Sequence, residues 1–323
     1  MLSYQLELSF SPVNELINSL HTYLCKSWHK RIDLGPDWTQ NVHAALSSEF
    51  ADQLEQTGID LEWKLLHLLA YVSPNKNSVE DFLSWLHKLT LGELYAVLSP
   101  YVQTFPEDFG AVRDRQHRML SEWKEVYFKH IDPGIVTALR AEAEEKTGWG
   151  GFEAYEKAAA LTNGFCFEPV NGLEKLVLIP HYHFQPGNIF YSYGSLTICQ
   201  YASRIEPHSE EEDGPSLHLY RLLRSLSEKS RLRILHFLRS EPRTFIEVVR
   251  HLGISKGITH DHIFNLRCAG LLNVHVVGET VSTYSLRVER IQQIEQGLFD
   301  YLGMNPSLLS NRVNEIVSPS NEC

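Results

Sequence analysis

The sequence predicts a mainly α-helical fold with small β parts (α+β), and three observations lead to this prediction. Apolar residues recur at helical spacing through much of the stretch from Asp37 to Leu161. Short runs rich in β-branched and aromatic residues, separated by Pro and Gly, follow between Phe165 and Tyr201. Helical spacing returns at Leu217 and then gives way to two further β-like runs. The predicted organisation is an α-rich N-terminal domain at 1–206, an acidic linker at 207–216, a second domain at 217–303 and a polar tail at 304–323.

The N-terminal domain is predicted to open with a strand and continue with helices. Tyr4–Phe10 alternates as an edge strand does, and Ser11-Pro12 suits a helix start because Pro is favoured in the first turn. Later helices are predicted at Leu61–Val72, Val79–Leu89, Phe109–His130 and Ile135–Leu161, the last broken at Gly148, Gly150 and Gly151. Short strands are predicted at Phe165–Glu168, Leu173–Ile179, His181–Phe184 and Ile189–Tyr201. We expect these strands to form a small sheet that the Tyr4–Phe10 strand can join.

Composition excludes several classes of protein. No run approaches 18 apolar residues and Met1–Phe10 alternates, so we expect neither a membrane span nor a secretion signal. Five scattered cysteines lack the spacing of a disulfide framework or a metal site, which favours reduced thiols in the cytoplasm. These cysteines are Cys25, Cys166, Cys199, Cys268 and Cys323.

The net charge of −11 is unevenly distributed. Between Leu217 and Leu302 there are 12 Lys and Arg against 8 Asp and Glu, a formal charge of +4, which leaves −15 on the rest of the chain. The linker Pro207–Pro215, with the sequence PHSEEEDGP, is acidic and poor in apolar residues. Basic charge is therefore concentrated in the C-terminal domain, where it would favour an anionic partner.

The C-terminal domain begins with three predicted helices. Leu217–Leu226 carries leucines at i, i+3, i+4 and i+7, and a second helix begins near Ser230, a plausible N-cap, with Leu232, Leu235 and Leu238 recurring near helical period. A third carries apolar residues at the same spacing from Phe245 to Leu252 and ends at Gly253, because Gly tolerates a left-handed C-terminal cap. A last helix is predicted at Val288–Leu302.

A fourth helix follows the glycine at once. Ser255 can cap it through its hydroxyl, and Thr259, Ile263 and Leu266 give it a buried side. Two short helices joined by a glycine turn indicate a helix-turn-helix. The runs Leu272–Val277 and Val281–Leu286, joined near Gly278-Glu279, predict a β-hairpin, or wing. The order of elements predicts a winged helix-turn-helix.

The segments LLRSLSEKSRLRILHFL, LGISKGITHDHIFNLRCAGLL and TYSL resemble the ArsR-type winged-helix regulators over roughly 70 residues. The whole chain resembles the larger members that carry an additional N-terminal domain. The resemblance implies a bacterial, repressor-like homodimer whose fourth helix enters the major groove of operator DNA. It also implies a dimer interface from Leu217–Leu226 and Val288–Leu302, and an N-terminal domain that senses an unknown small-molecule effector or adds to dimerisation. Aromatic residues such as Tyr191 and Tyr193 could line the pocket for that effector.

The fourth helix supplies the predicted DNA contacts. Lys256 and His260 can bond guanine acceptors or a phosphate, and Gly257 lets the helix N-terminus approach a phosphate. The predicted contacts are Ser255, Lys256, Gly257, Thr259, His260, Asp261, Asn265 and Arg267, of which the last two, further along the helix, contact either phosphate or neighbouring helices. Additional phosphate contacts are expected from Arg231, Arg233 and Arg243.

Two features favour an alternative, a protein–protein interaction module with a degenerate winged helix that does not bind DNA. Asp261 would bring a carboxylate towards DNA, which suits a cytosine amino group but is repelled by phosphates. The expected wing tip, Gly278-Glu279-Thr280, has no Lys or Arg to place along the DNA backbone.

Metal and catalytic sites are not expected. The third helix lacks the paired cysteines of thiophilic-metal sensors, and Val288–Leu302 lacks the histidine of zinc sensors. His181 and His183 would share one face of a strand, but no third ligand stands at a recognisable distance. No nucleophile elbow, phosphate loop or HExxH motif is present. We therefore expect no metal, no cofactor and no enzymatic activity.

Overall fold

The computed structural model describes residues 3–150, 153–206 and 214–304, and these residues separate into two compact units. The first unit comprises the described parts of 3–162, 166–206 and 276–280; the second comprises 163–165, 214–275 and 281–304. The predicted linker falls largely outside the described residues, as do Gly151 and the tail from Asn305. Helices predominate over two small sheets, which confirms the mainly α fold with small β parts. No helix in the described ranges has the length and apolar character needed to cross a membrane.

Most helices of the first unit begin where a polar side chain caps them; α2 and α9 begin without a side-chain cap. Ser11 Oγ accepts a hydrogen bond from the Val13 amide at 3.1 Å, and Ser78 Oγ does the same for Asp81 at 3.2 Å. The helices are α1 Pro12–Leu24, α2 Gly35–Ala45, α3 Ser48–Gln56, α4 Leu61–Val72, α5 Val79–Lys88, α6 Leu91–Leu98, α7 Phe109–Val126, α8 Pro133–Thr147 and α9 Ala154–Leu161. Short 3₁₀ helices occupy Lys26–Trp28 and Phe128–His130.

The strands form two sheets, one of four strands and one of three. They are β1 Gln5–Leu8, β2 Phe165–Phe167, β3 Lys175–His181, β4 Ile189–Tyr193, β5 Leu196–Ala202, β6 Leu272–Val277 and β7 Thr280–Leu286. The four-stranded sheet has the order β1-β3-β5-β4, in which β3 lies parallel to both β1 and β5. The prediction that the N-terminal strand joins this sheet is confirmed by its register, Gln5 opposite Lys175.

Three predicted strands differ from the structure. Ile189–Tyr201 is not one run but the hairpin of β4 and β5, which turns at Gly194 with φ of 58°. His181–Phe184 is not a separate strand, because His181 ends β3 and the chain then turns. Strand β2 does not enter the four-stranded sheet; it lies beside β6 in the order β2-β6-β7.

The core of the first unit is built around α1. Its apolar residues Leu16, Ile17 and Leu20 are fully buried, and so are polar residues of the same helix. Helices α4, α5 and α7 contribute the large side chains Trp63, Phe82, Phe109 and Trp123. One α-helix is therefore enclosed on nearly all sides, which explains why its polar residues must find partners inside the protein.

The second unit contains five helices among its described residues. They are α10 Leu217–Leu226, α11 Lys229–Phe237, α12 Phe245–Leu252, α13 Lys256–Cys268 and α14 Val288–Tyr301. Helix α11 is capped by Glu228, whose carboxylate accepts from the Arg231 amide at 2.9 Å, so the predicted cap at Ser230 was wrong. Leu232, expected in the buried stripe, is 48% exposed, because Ile234, Leu235 and Leu238 form the buried side.

A short segment before β2 packs inside the second unit. The Val274 amide donates to the Gly164 carbonyl oxygen at 2.7 Å, which continues the pairing of β2 with β6. Gly164 has φ of 105°, and a Cβ at this position would overlap the Leu272 carbonyl oxygen. Only glycine fits here, because other residues carry a Cβ and rarely adopt this backbone conformation.

Candidate nucleic-acid interface

The helix-turn-helix is fixed by local capping interactions. Thr244 and Glu247 form a capping box at the start of α12, where each side chain bonds the backbone amide of the other. These hydrogen bonds lower the pKa of Glu247, so its carboxylate stays ionised as a cap. Gly253 ends α12 in the left-handed conformation, with φ of 69°, and Ser255 Oγ accepts from the Ile258 amide at 3.3 Å to start α13. The predicted turn and cap are confirmed.

Helix α13 has one buried side and one exposed side. Thr259, Ile263 and Leu266 are buried, as the predicted stripe requires. Four of the predicted contact residues lie on the exposed side: Lys256, Gly257, His260 and Asp261. The ring of His260 also packs edge-on against Phe245, with ring centroids 6.4 Å apart. The first two turns of α13 thus present a varied set of side chains to solvent.

Thr259 does not belong to that exposed set. Its exposed fraction is 0%, and its hydroxyl donates to the Ser255 carbonyl oxygen at 3.0 Å. The predicted DNA contact of Thr259 is therefore corrected, because its side chain faces the core and holds the first turn of α13.

Asn265 and Arg267 lie towards the C-terminal end of the helix and are engaged within the unit. Asn265 Nδ2 donates to the Asp261 carbonyl oxygen at 2.6 Å. The Arg267 guanidinium lies 4.9 Å from the centroid of the Phe165 ring, in a cation–π contact. The placement of Arg267 indicates a role in packing the second unit.

The three arginines predicted as further phosphate contacts also have internal partners. Arg231 donates to the carbonyl oxygens of Arg224 and Ser225 at 2.8 Å each, which caps the end of α10. Arg233 donates to the His251 carbonyl oxygen at 3.3 Å. Arg243 pairs with Glu241 and Glu247, and its guanidinium lies over the Phe237 ring. Three of the 12 Lys and Arg of this domain are therefore engaged in backbone capping, packing or ion pairs within the unit.

Ile258 is a candidate contact that the sequence reasoning missed. This side chain is 52% exposed and lies in the first turn of α13, beside Lys256 and Gly257. A large apolar side chain exposed on a helix of this kind can meet the methyl group of thymine. Its position off the Thr259–Ile263–Leu266 stripe was the available signal.

The candidate metal pair is divided between different partners. His181 Nε2 bonds the Gly187 carbonyl oxygen at 3.0 Å. His183 Nδ1 donates to the buried Glu15 carboxylate, and its Nε2 contacts the Tyr127 hydroxyl at 2.7 Å. Within the described ranges, no cluster of three or more His, Cys, Asp or Glu has the arrangement of a metal site.

Comparison with known proteins is informative for the C-terminal part of the chain. Residues 228–274, from the cap of α11 into β6, match the family described as bacterial regulatory protein, arsR family. Neither a curated protein nor a solved structure gave a significant match. The matched residues contain the whole helix-turn-helix built from α12, Gly253 and α13. Residues 228–274 therefore form an ArsR-family helix-turn-helix domain, and the chain is in general terms a DNA-binding regulatory protein.

Proposed function

We propose that the chain is a cytoplasmic bacterial transcription regulator, repressor-like and without enzymatic activity, that binds operator DNA as a homodimer through α13. The observation that carries the proposal is the exposed first half of α13, which begins at a capped N-terminus. A helix N-terminus favours a phosphate, because its amides and its dipole point outwards. The side chains that follow are then positioned over base edges in the major groove.

Each exposed residue of α13 suits a particular contact. Lys256 can donate to guanine or to a phosphate, and His260 can bond a purine acceptor. Ile258 fits a thymine methyl group, and Asp261 can accept from a cytosine amino group. The proposed base-reading set is therefore Lys256, Ile258, His260 and Asp261, with Gly257 allowing close approach to the backbone.

Helices α10 and α14 support the proposed homodimer. They pack together in the second unit and leave several large apolar side chains exposed. These are Leu217, Tyr220, Val288, Ile291, Tyr301 and Leu302. Burial of such a surface against a second copy would stabilise a dimer, since about 25 cal/mol is gained per Å² of apolar area removed from water. A dimer would read two half-sites about 34–36 Å apart.

The alternative, a protein-interaction module, is favoured by two observations. Arg231, Arg233 and Arg243 are engaged within the second unit, which leaves fewer free cations for phosphates. Asp261 lies on the exposed side of α13, where it would repel phosphates.

A salt-dependent binding series separates these two functions. Fluorescence anisotropy would be measured with duplexes from the region upstream of the gene, using the wild type, Lys256→Ala and Lys88→Ala. Lys88 is exposed in the first unit and is the matched control. The proposal predicts that Lys256→Ala weakens binding by roughly 5- to 100-fold, and that the salt slope falls by about 1 if Lys256 contacts a phosphate. Equal affinities for all three proteins, or no binding at low salt, would favour the interaction module.

A further inference from the structure

Helix α11 has an exposed side whose composition is not explained by base reading through α13. Lys229, Leu232, Arg233 and His236 follow one another at i, i+3, i+4 and i+7, so they share one side of the helix. All four side chains are exposed, and no Asp or Glu stands among them. One side of α11 therefore presents basic side chains to solvent.

The end of α12 adds a third cation next to this side. Arg233 Nη2 donates to the His251 carbonyl oxygen at 3.3 Å, and the His251 ring stacks on the Phe237 ring of α11 with centroids 4.0 Å apart. Arg250, the chain neighbour of His251, is exposed. We call Lys229, Arg233 and Arg250 the α11–α12 basic patch.

The α11–α12 basic patch borders the helix that is proposed to read DNA. Both α11 and α12 pack against α13. At the start of α11, Glu228 Oε2 lies 3.7 Å from His262 Nδ1 of α13, and Lys229 follows Glu228 in the chain. At the end of α12, only four residues separate His251 from Lys256, where α13 begins. A partner that meets α13 is therefore brought close to these cations.

The charges of the α11–α12 basic patch are not neutralised by ion pairs. Elsewhere in the second unit, Arg243 is paired with both Glu241 and Glu247. None of the carboxylates that the structure describes forms such a pair with the three cations of the patch. Arg233 uses one N–H for a neutral carbonyl oxygen, and a guanidinium has five, so its charge stays available.

We propose that the α11–α12 basic patch binds the phosphate backbone of duplex DNA beside the groove that α13 enters. Duplex DNA carries one negative charge for about every 1.7 Å of its axis, so it offers several phosphates to cations spread over two helices. Phosphate contacts position a protein on the duplex and carry no sequence information, which suits side chains that lie next to a reading helix. The proposal rests on the proposed function and names the residues that supply its backbone contacts.

Other parts of the second unit offer less for the DNA backbone. The tip of the hairpin, Gly278-Glu279-Thr280, contains no Lys or Arg. Arg231 caps the end of α10 through two carbonyl oxygens, and the charge of Arg243 is neutralised by its two ion pairs. The uncompensated charge on α11 and α12 therefore favours these helices as the source of phosphate contacts.

The experiment measures the salt dependence of DNA binding by the full chain. Fluorescence anisotropy would be followed from about 50 to 200 mM salt with an upstream duplex and with a scrambled duplex of equal length and composition. The neutral variants are Lys229→Gln, Arg233→Gln, Arg250→Gln and their triple combination. Arg233→Lys keeps the positive charge, and Lys88→Gln removes an exposed cation of the first unit as the matched control.

Each single neutral variant should lower the slope of log affinity against log salt by about 1 on both duplexes, because one phosphate contact is lost. The triple variant should lower it by about 2.7. Arg233→Lys and Lys88→Gln should keep the wild-type slope. The preference for the upstream duplex should be the same in every variant, since the loss of a phosphate contact weakens binding uniformly across sequences.

The proposal is overturned if the triple variant keeps the wild-type slope, or if its slope falls no further than that of Lys88→Gln. This failure is distinct from a failure of base reading. An intact preference with a wild-type slope in the triple variant contradicts the patch alone, whereas a reduced slope with no preference in any protein contradicts reading by α13 alone. Absence of DNA binding at low salt contradicts both and leaves the patch as a surface for an acidic protein.

Discussion

Acidification should destabilise the first unit through three histidines that are buried in it. His21, His67 and His181 come from α1, α4 and β3, and each is no more than 4% exposed. Burial lowers the pKa of His67 to about 3 and of His181 to about 4, and it lowers the pKa of His21 well below the ordinary value. His67 and His181 are therefore neutral in the folded protein at pH 5, although both would be protonated in the unfolded chain, and the pKa of His21 moves in the same direction.

The sign and size of the effect follow from linkage. A histidine with a depressed folded pKa favours the folded state above pH 6.5, and that advantage is lost as the pH falls from 6.5 towards the folded pKa. Each unit of pH in this window costs about 1.4 kcal/mol for each histidine. Between pH 6.5 and 5 the loss is about 2 kcal/mol for each of His67 and His181, about 4 kcal/mol together, and His21 acts in the same direction. That is a large fraction of the stability of many domains, about 5–15 kcal/mol.

Glu15 does not obscure this window. Burial alone would raise its pKa, but the hydrogen bond and charge of His183 lower it overall. A carboxylate with a depressed folded pKa keeps its stabilising effect above its unfolded value and loses it only as the pH falls further. The unfolded value lies near 4.3, so Glu15 contributes little change between pH 6.5 and 5.

Urea denaturation followed by circular dichroism at pH 7, 6, 5.5 and 5 measures the effect. His67→Gln removes one titrating group and should reduce the change in unfolding free energy between pH 6.5 and 5 by about 2 kcal/mol. His130→Gln, at an exposed position, should leave it unchanged. An unfolding free energy that stays constant from pH 7 to pH 5 would show that these histidines are not held neutral by burial.

Three further predictions concern the second unit. Gly164→Ala should lower the stability of the second unit by several kcal/mol, because a Cβ would overlap the neighbouring strand. The control Gly92→Ala, where the space is open, should be neutral or stabilising. Equal melting temperatures for the two variants would contradict this prediction. Arg267→Gln should reduce the unfolding free energy by about 1 kcal/mol, because the cation–π contact with Phe165 is lost. The dependence of DNA affinity on salt concentration should stay unchanged, and a slope lower by about 1 would show that Arg267 contacts a phosphate. Ile291→Asp should weaken the proposed dimer in sedimentation experiments, and an unaltered dimer would place the interface elsewhere.

The helix-turn-helix could be predicted because its signals are local. Thr244, Gly253 and Ser255 act on backbone groups within four residues of themselves, so the sequence alone contains the interaction. The error at α11 arose because Ser230 is a favoured cap residue, whereas in the structure the Glu228 carboxylate, two residues earlier, accepts the amide hydrogen bond.

The remaining features depend on residues distant in sequence. Strand β2 was assigned to the wrong sheet because nothing in its three residues specifies that Gly164 pairs with Val274. The internal roles of Arg231 and Arg233 could not be predicted, because a guanidinium suits a phosphate and a backbone carbonyl equally well. The buried histidines are likewise assembled from separate parts of the chain, so their spacing in sequence carries no signal.

Sequence-selective DNA binding is the central claim, and a competition measurement tests it most directly. The affinity of the full chain for an upstream duplex would be compared with its affinity for a scrambled duplex of equal length and composition at physiological salt. A reading helix at α13 predicts roughly a thousandfold or greater preference for the upstream duplex, because specific sites exceed non-specific ones by at least that factor. Equal affinity for the two duplexes would contradict base reading by α13 and would leave the winged helix as a surface for protein contacts.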